Sequence, residues 1–343
     1  MQPLVIITGP TAVGKTAISL KLAQRIGGEI ISADSMQVYR GMDIGTAKIK
    51  VAEMQGIRHH LIDVLEPDET FHVVTFQKLA KACIRDVAQR GKIPIIAGGT
   101  GFYIQALLYD VNFQEESIDE DNNGGDDKSL RRPDGFVVSQ NEAGSGGSSG
   151  CTYRQGLEAL EREKGTGYLH DLLKQIDPKA AEAIHANNRK RVIRALEYHH
   201  QTGGLISAHN ERERKRESPY RFAYFVLDEE REKIYAKINR RVDDMIDAGL
   251  LDEVKRLKDS GFGREMVSMQ GLGYKEIFAY LDGETTYEDA ITLLKRDTRR
   301  FAKRQLTWFR RERDVVWLDK GGLGSDEGVV DEMVRVMGEK GVM

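Results

Sequence analysis

Gly9-Pro10-Thr11-Ala12-Val13-Gly14-Lys15-Thr16 satisfies the pattern G-x-x-x-x-G-K-[ST], and its flanks have the character that pattern needs in order to act. Residues 4–8 before it form a short apolar, β-branched run; residues 17–25 after it space Ile18 and Leu22 as a helix does. A strand, a glycine-rich loop and a helix start in that order make an anion site. The glycines let backbone N–H groups converge on phosphate oxygens at the positive end of the helix, Lys15 adds a full charge, and the Thr16 hydroxyl is placed to hold Mg²⁺. Background composition yields such a match in a chain this long only about one time in a hundred. An ordinary glycine turn with a surface lysine has no need of the Lys-Thr pair.

Further short strands are expected at residues 29–33, 60–64 and 93–97, alternating with helical stretches such as 73–90, whose Val73, Phe76, Ala80, Cys83, Ile84 and Val87 make one apolar stripe. Alternation of that kind predicts an α/β fold: a P-loop NTPase-like parallel sheet with helices on both faces. Residues 221–227 and 315–318 read as strands that return to the sheet, and the pattern between about 152 and 215 is helical only, an all-α insertion domain. The expected division is therefore 1–113 for the first part of the core, 114–150 for an acidic Gly/Ser-rich flexible loop, 151–215 for the insertion, 216–320 for the return to the core, and 321–343 for a tail with a terminal helix at 326–337.

Charge is distributed unevenly along this chain of net charge −3. Residues 114–150 hold nine acids against three bases, which leaves the remainder at plus 3. Within that remainder, residues 189–216 carry eight Lys/Arg against three Glu, and residues 295–313 carry nine against two acids. One such run is ordinarily a solvated helix face; two point to a polyanion. The two cysteines, Cys83 and Cys151, provide neither a disulfide framework nor a zinc pair. With no basic leader and no apolar span of membrane length, the expected location is the cytoplasm.

A phosphate loop does not fix the reaction. Asp34 follows the second expected strand, which puts its carboxyl at the edge of the sheet where ligands of open α/β folds bind. A helix cap or Asx turn is the competing reading of Asp34, and the two are compatible. No good second acid for nucleotide hydrolysis stands out: Leu61-Ile62-Asp63 is weak, and the strand at 93–97 runs into Gly98-Gly99-Thr100 with no carboxylate. Gly98 and Gly99 instead allow close approach of backbone to ligand, with the Thr100 hydroxyl beside them.

Taken together, several blocks resemble the tRNA dimethylallyltransferase, or isopentenylpyrophosphate transferase, family. They are the phosphate loop, Asp34-Ser35-Met36-Gln37-Val38-Tyr39, Gly41-Met42-Asp43-Ile44-Gly45-Thr46-Ala47-Lys48, Gly98-Gly99-Thr100-Gly101, the run from Asn187 through Glu197, Gln270-Gly271-Leu272-Gly273-Tyr274-Lys275-Glu276, and Lys303-Arg304-Gln305-Leu306-Thr307-Trp308-Phe309-Arg310. The resemblance implies transfer of a dimethylallyl group from dimethylallyl diphosphate to the exocyclic amine of the adenosine 3′ to the anticodon. It further implies that Gly9 to Thr16 grip the diphosphate with Mg²⁺ on Thr16, that Asp34 is the general base, and that Arg231 reaches the diphosphate. By the same resemblance Asp34, Ser35, Met36, Gln37, Thr100, Lys190, Arg191, Val192, Ile193, Arg194, Gly271, Leu272, Gly273, Tyr274, Lys275, Lys303, Arg304, Gln305, Thr307, Trp308 and Arg310 contact the tRNA anticodon stem-loop. A monomer is expected. The chain departs from the family pattern at Val13, where Ser is usual, at Ile49 and Ala186, where Pro is common, and in the length of its acidic loop.

Two rivals are enzymes: an adenylate isopentenyltransferase acting on free AMP, ADP or ATP, which needs no tRNA-gripping blocks, and a P-loop small-molecule kinase, which the residues after 110 do not favour. A non-catalytic RNA-binding protein leaves Lys15 and Asp34 without work. The pairs His59-His60 and His199-His200 are poorly spaced for a shared metal, and Trp308 reads equally as an RNA-stacking or a core residue.

Overall fold

β1 (Gln2–Thr8) sends Leu4 and Ile6 into one hydrophobic layer and Val5 and Ile7 into another, and all four are buried. A strand apolar on both faces needs cover on both sides. Truncating one of these, as in Ile6→Ala, costs about 2–5 kcal/mol, a large part of a domain's net stability. The computed structural model describes residues 1–113, 153–165 and 167–343, so the segment expected to be a flexible loop, 114–150, lies outside the described residues.

After β1 come α1 (Lys15–Ile26), β2 (Gly28–Ser32), β3 (His59–His60), α2 (Val73–Gln89), β4 (Ile93–Ala97) and α3 (Gly101–Leu108). The strand expected at 60–64 stops after two residues, because Leu61 and Asp63 sit at φ of 61° and 53°, outside the extended region. The chain divides into two compact units, Asn112–Arg216 on the one hand and Met1–Val111 with Glu217–Met343 on the other. The first of these holds α4 (Tyr153–Lys164), α5 (Tyr168–Ile176), α6 (Pro178–Ala183), α7 (Arg189–Thr202) and α8 (Ile206–Lys215), packed around Leu157, Leu169, Leu173, Val192, Ile193 and Leu196.

The second unit resumes with β5 (Tyr220–Asp228), α9 (Arg231–Asp247), α10 (Leu250–Asp259), α11 (Tyr274–Leu281), α12 (Tyr287–Phe309), β6 (Val315–Asp319), α13 (Lys320–Leu323) and α14 (Asp326–Glu339). Its sheet has six parallel strands in the order β3-β2-β4-β1-β5-β6. Val5 of β1 stands opposite Ile95 of β4 and Ala223 of β5. The α1 and α14 side chains fill one layer, while α2, α3, α10, α11 and α12 contribute to the other. β1 and β4 are neighbours, so the loops that follow them emerge side by side at one edge of the sheet.

Candidate active site

The loop after β1 owes its shape to its own residues. Gly9 sits at φ 143°, where a Cβ would stand 2.5 Å from the Leu227 carbonyl oxygen, and Gly14 at φ 96° caps α1 in the left-handed region. Val13 turns its side chain into the layer shared with α1 and α14 and is fully buried, which suits an apolar residue at this point. Lys320 Nζ donates to the Val13 carbonyl at 3.2 Å, tying the loop to α13. The Thr11 N–H donates to Gln305 Oε1 at 2.8 Å, and Gln305 Nε2 donates to the Gly99 carbonyl at 3.0 Å. Gln305 is thus a buried strap between the loops that follow β1 and β4, with its amide consumed inside the unit.

Lys15, Thr16, Ser32, Asp34, Gln37 and Gly98 line one open cavity, together with Ile49 and His59. Lys15 Nζ donates to the carbonyls of Gly9 and Pro10 at 3.0 and 2.8 Å. Burial, and then the nearby Arg241 guanidinium, pull its pKa down to about 7 against the opposing pull of Asp34. The Asp34 Oδ1 accepts the Met36 N–H at 2.9 Å and the Gln37 N–H at 3.4 Å, an Asx turn. Both readings of Asp34 meet in this geometry, since one oxygen holds the turn while the carboxyl lines the cavity. Gly98 is forced by close approach, because a Cβ there would lie 2.3 Å from the Ala33 carbonyl oxygen.

Arg241 was not found by sequence reasoning. It lies on α9 three residues after Ile238 and seven after Ile234, on the stripe of that helix that packs with Ala302 and Ala12. Burial lowers its pKa and Asp34 raises it, so an arginine stands in the same electrostatic neighbourhood as Lys15 and Asp34. The signal in the sequence was a cation on an otherwise apolar stripe. Arg231 opens α9, is exposed, and lies 5.9 Å over the Tyr235 ring. Ten residues of helix, about 15 Å, separate the two arginines. The guanidinium whose charge acts on Lys15 is Arg241.

The remaining sequence-chosen residues divide by exposure. Ser35 and Met36 are half-buried, and Met36 packs against Gly271, where a Cβ would meet its Cε at 2.5 Å. Thr100, also half-buried, precedes α3 and donates its N–H to the Ala33 carbonyl at 3.3 Å. Gly271, Leu272 and Lys275 are partly exposed, Gly273 is buried, and Tyr274 is fully buried with its hydroxyl on Glu253 at 2.7 Å. On α12, Lys303, Arg304 and Thr307 are exposed, as is Arg310 at its end. Trp308 is half-buried, packing against Gly101, where a Cβ would lie 2.3 Å from its ring, and edge-on against the exposed Phe102. In the helical unit, Lys190, Arg191 and Arg194 are exposed on α7 while Val192 and Ile193 enter the core of that unit.

Among the described residues no three His, Cys, Asp or Glu gather as a metal cage. His60 Nε2 bonds Glu29 at 2.8 Å, His59 Nδ1 the Ile57 carbonyl at 2.9 Å and His199 Nδ1 the Gly204 carbonyl at 3.1 Å, while His200 stacks on Tyr153 at 3.8 Å. No helix among the described residues is long and apolar enough to cross a membrane.

A family model described as IPP transferase matches residues 37–312. A tRNA dimethylallyltransferase of Lachnoclostridium phytofermentans is 55% identical over 343 residues, covering 100% of both chains. The solved tRNA isopentenylpyrophosphate transferase of Bacillus halodurans superposes with a TM-score of 0.67 at 43% identity, covering 99% of this chain and 98% of that one. A eukaryotic dimethylallyltransferase, solved acting on tRNA, superposes with a TM-score of 0.70 at 30% identity over 93% of this chain and 74% of its own.

Proposed function

The chain belongs to the IPP transferase family, and on that footing we propose that it transfers a dimethylallyl group from dimethylallyl diphosphate to the exocyclic amine of the adenosine 3′ to the anticodon in tRNA. The observation that carries this reading is that phosphate-loop residues and a carboxyl line one cavity: Lys15, Thr16 and Asp34. Anion-binding groups and a proton acceptor on one cavity suit a displacement in which a diphosphate leaves as a protonated nucleophile arrives.

The adenine amine is a weak nucleophile because its lone pair is delocalised into the ring, so the electrophile must be activated. In the proposed step the C1–O bond of the allylic diphosphate breaks, with its electron pair going to the diphosphate, and the N6–C1 bond forms. The loop N–H groups, Lys15 and Arg241 stabilise the departing charge. Arg231, at the exposed start of the same helix, is the cation that the sequence resemblance gives to the diphosphate. The Asp34 carboxyl accepts the N6 proton, a contribution of typically ~10²- to 10⁴-fold. The adenine leaves the stack of the anticodon loop to reach the cavity. Exposed Lys303, Arg304 and Arg310 on one unit, and Lys190, Arg191 and Arg194 on the other, serve the RNA backbone.

Mg²⁺ fits the donor set. The Thr16 hydroxyl and Asp34 face the cavity without a protein-built cage, which suits an ion that keeps its waters and takes phosphate oxygens as ligands. When bound it would neutralise charge on the diphosphate. We place the reaction in the cytoplasm, where its tRNA substrate is, and assign the chain to act as a monomer.

The test incubates the protein with labelled dimethylallyl diphosphate and, separately, an unmodified tRNA, AMP and ATP. Label is expected on tRNA alone. Label on AMP or ATP would make it an adenylate isopentenyltransferase, and phosphoryl transfer without prenyl transfer a kinase. With tRNA as acceptor, Asp34→Asn is expected to lower kcat by about 10²-fold or more while leaving tRNA binding nearly unchanged; normal turnover would reduce Asp34 to its Asx turn.

A further inference from the structure

Glu253 is a buried acid on α10, outside the cavity and outside every block that the sequence singled out. Its Oε2 accepts the N–H groups of Asp43 and Ile44 at 3.0 and 2.8 Å, and its Oε1 accepts the Gly45 N–H at 3.1 Å and the Tyr274 hydroxyl at 2.7 Å. Three successive backbone N–H groups converging on one anion form a nest of the kind proteins use for phosphates. Here an internal carboxyl fills it. Two segments meet at that carboxyl. Gly45 lies so close to the Tyr274 ring that a Cβ on it would stand 2.5 Å from a ring carbon, and a Cβ on Gly273 would stand 3.7 Å from the Gly45 Cα.

The loop held by the nest reaches the cavity through a short series of bonds. Gln37 Nε2 donates to the carbonyls of Thr46 and Ala47 at 3.3 and 3.5 Å, which orients the amide so that its Oε1 meets the Ser32 hydroxyl at 3.3 Å. The Gln37 N–H in turn donates to Asp34 Oδ1. Lys48 Nζ closes the loop from behind, on the Tyr39 carbonyl at 2.7 Å and on the Asp43 carboxylate at 2.6 Å. Glu253 therefore sits three links from Asp34.

We propose that Glu253 is a positioning residue for the RNA acceptor: by filling the nest at Asp43, Ile44 and Gly45 and holding Tyr274, it sets the loop that orients Gln37 and Asp34 toward the incoming adenine. The proposal rests on the reading above, in which the acceptor is an RNA base. It assigns Glu253 no part in diphosphate binding, because none of its bonds reaches the phosphate loop.

The experiment compares the wild-type chain with Glu253→Gln and Tyr274→Phe, using dimethylallyl diphosphate and an unmodified tRNA anticodon stem-loop for turnover and inorganic diphosphate for binding. Gln keeps one acceptor oxygen but turns an NH₂ toward backbone donors. Its kcat/KM for the RNA should fall about tenfold or more while its Kd for diphosphate stays within about twofold of wild type. Tyr274→Phe removes one donor and leaves the nest filled, so its fall should be about two- to fivefold with diphosphate binding again retained. A parallel loss of diphosphate binding in either variant would make Glu253 a general stabiliser and overturn the proposal. So would an unchanged kcat/KM for RNA. If Glu253→Gln does not fold, Tyr274→Phe decides by the same two measurements. A wild-type chain that modifies no RNA would defeat the parent reading instead, and would be seen before any variant is compared.

Discussion

Two loops act on the same cavity, one lining it and one reaching it through Gln37, and they are shaped by opposite means. The phosphate loop takes its curve from within, through Gly9 and Gly14 at positive φ and a lysine that folds back on its own carbonyls. The loop of residues 43–47 takes its curve from outside, from a carboxyl 208 to 210 positions further along the chain. A turn shaped by its own glycines can be recognised in eight consecutive residues. A turn shaped by a remote acid leaves no local pattern, even though its hydrogen bonds are as well made. On the proposed reading the division also separates the substrates, with the first loop assigned to the prenyl donor and the second to the RNA.

The largest effect that would break this separation is at Lys15. Lys15→Ala removes the half-buried cation of the donor side, and kcat/KM for dimethylallyl diphosphate should fall by about 10³-fold. Binding of tRNA, followed by fluorescence anisotropy, should stay within about twofold. A parallel loss of tRNA binding would show that the two loops act as one.

A pH series sharpens the same point with a smaller effect. The Lys15 pKa is pulled down to about 7 in the free protein, so the ammonium is present below that pH and lost above it. The kcat/KM for dimethylallyl diphosphate should therefore decline above about pH 7, approaching tenfold per unit, whereas kcat at saturation should be flatter because bound diphosphate draws the proton back. An equal decline in both parameters would locate the titrating group in the chemical step instead.

The smallest effect belongs to the exposed basic faces. Arg304→Gln should raise the tRNA KM by about three- to tenfold and reduce the salt slope of binding by about one, leaving kcat at saturation and the diphosphate Kd alone. A fall in kcat would place Arg304 nearer the reaction than its exposure on α12 indicates.

What the sequence disclosed follows the same rule of locality. Strand and helix positions were legible because period and punctuation are local, so 93–97 and 73–90 reappear as β4 and α2 nearly residue for residue. The strand at 60–64 failed at Leu61 and Asp63, where positive φ is imposed by the surroundings and has no glycine to announce it. Gln305 and Tyr274 were chosen as RNA contacts within a basic or glycine-rich block. The fold turns them inward, onto Gly99 and Glu253, because helix faces alternate between solvent and core. Arg241 and Glu253 share the complementary fault: each is one charge on the apolar stripe of an amphipathic helix, where spacing marks it as unusual but cannot say what it meets until the helix is docked.

The strand order bears on how the molecule is made. β1 lies between β4 and β5, and its β5 partners begin at Tyr220, so the strand that leads into the phosphate loop gains its second neighbour only after some two hundred further residues have been added. At typical elongation rates of about 5–20 residues per second, that interval lasts on the order of ten to forty seconds. Throughout it, residues 4–7 lack at least one of the strands that flank them in the folded sheet, and an unpaired apolar edge is the feature most prone to pair with the wrong chain. The catalytic loop is thus specified early and assembled late, and the nascent chain on the ribosome depends on whatever shields that edge until Tyr220 arrives.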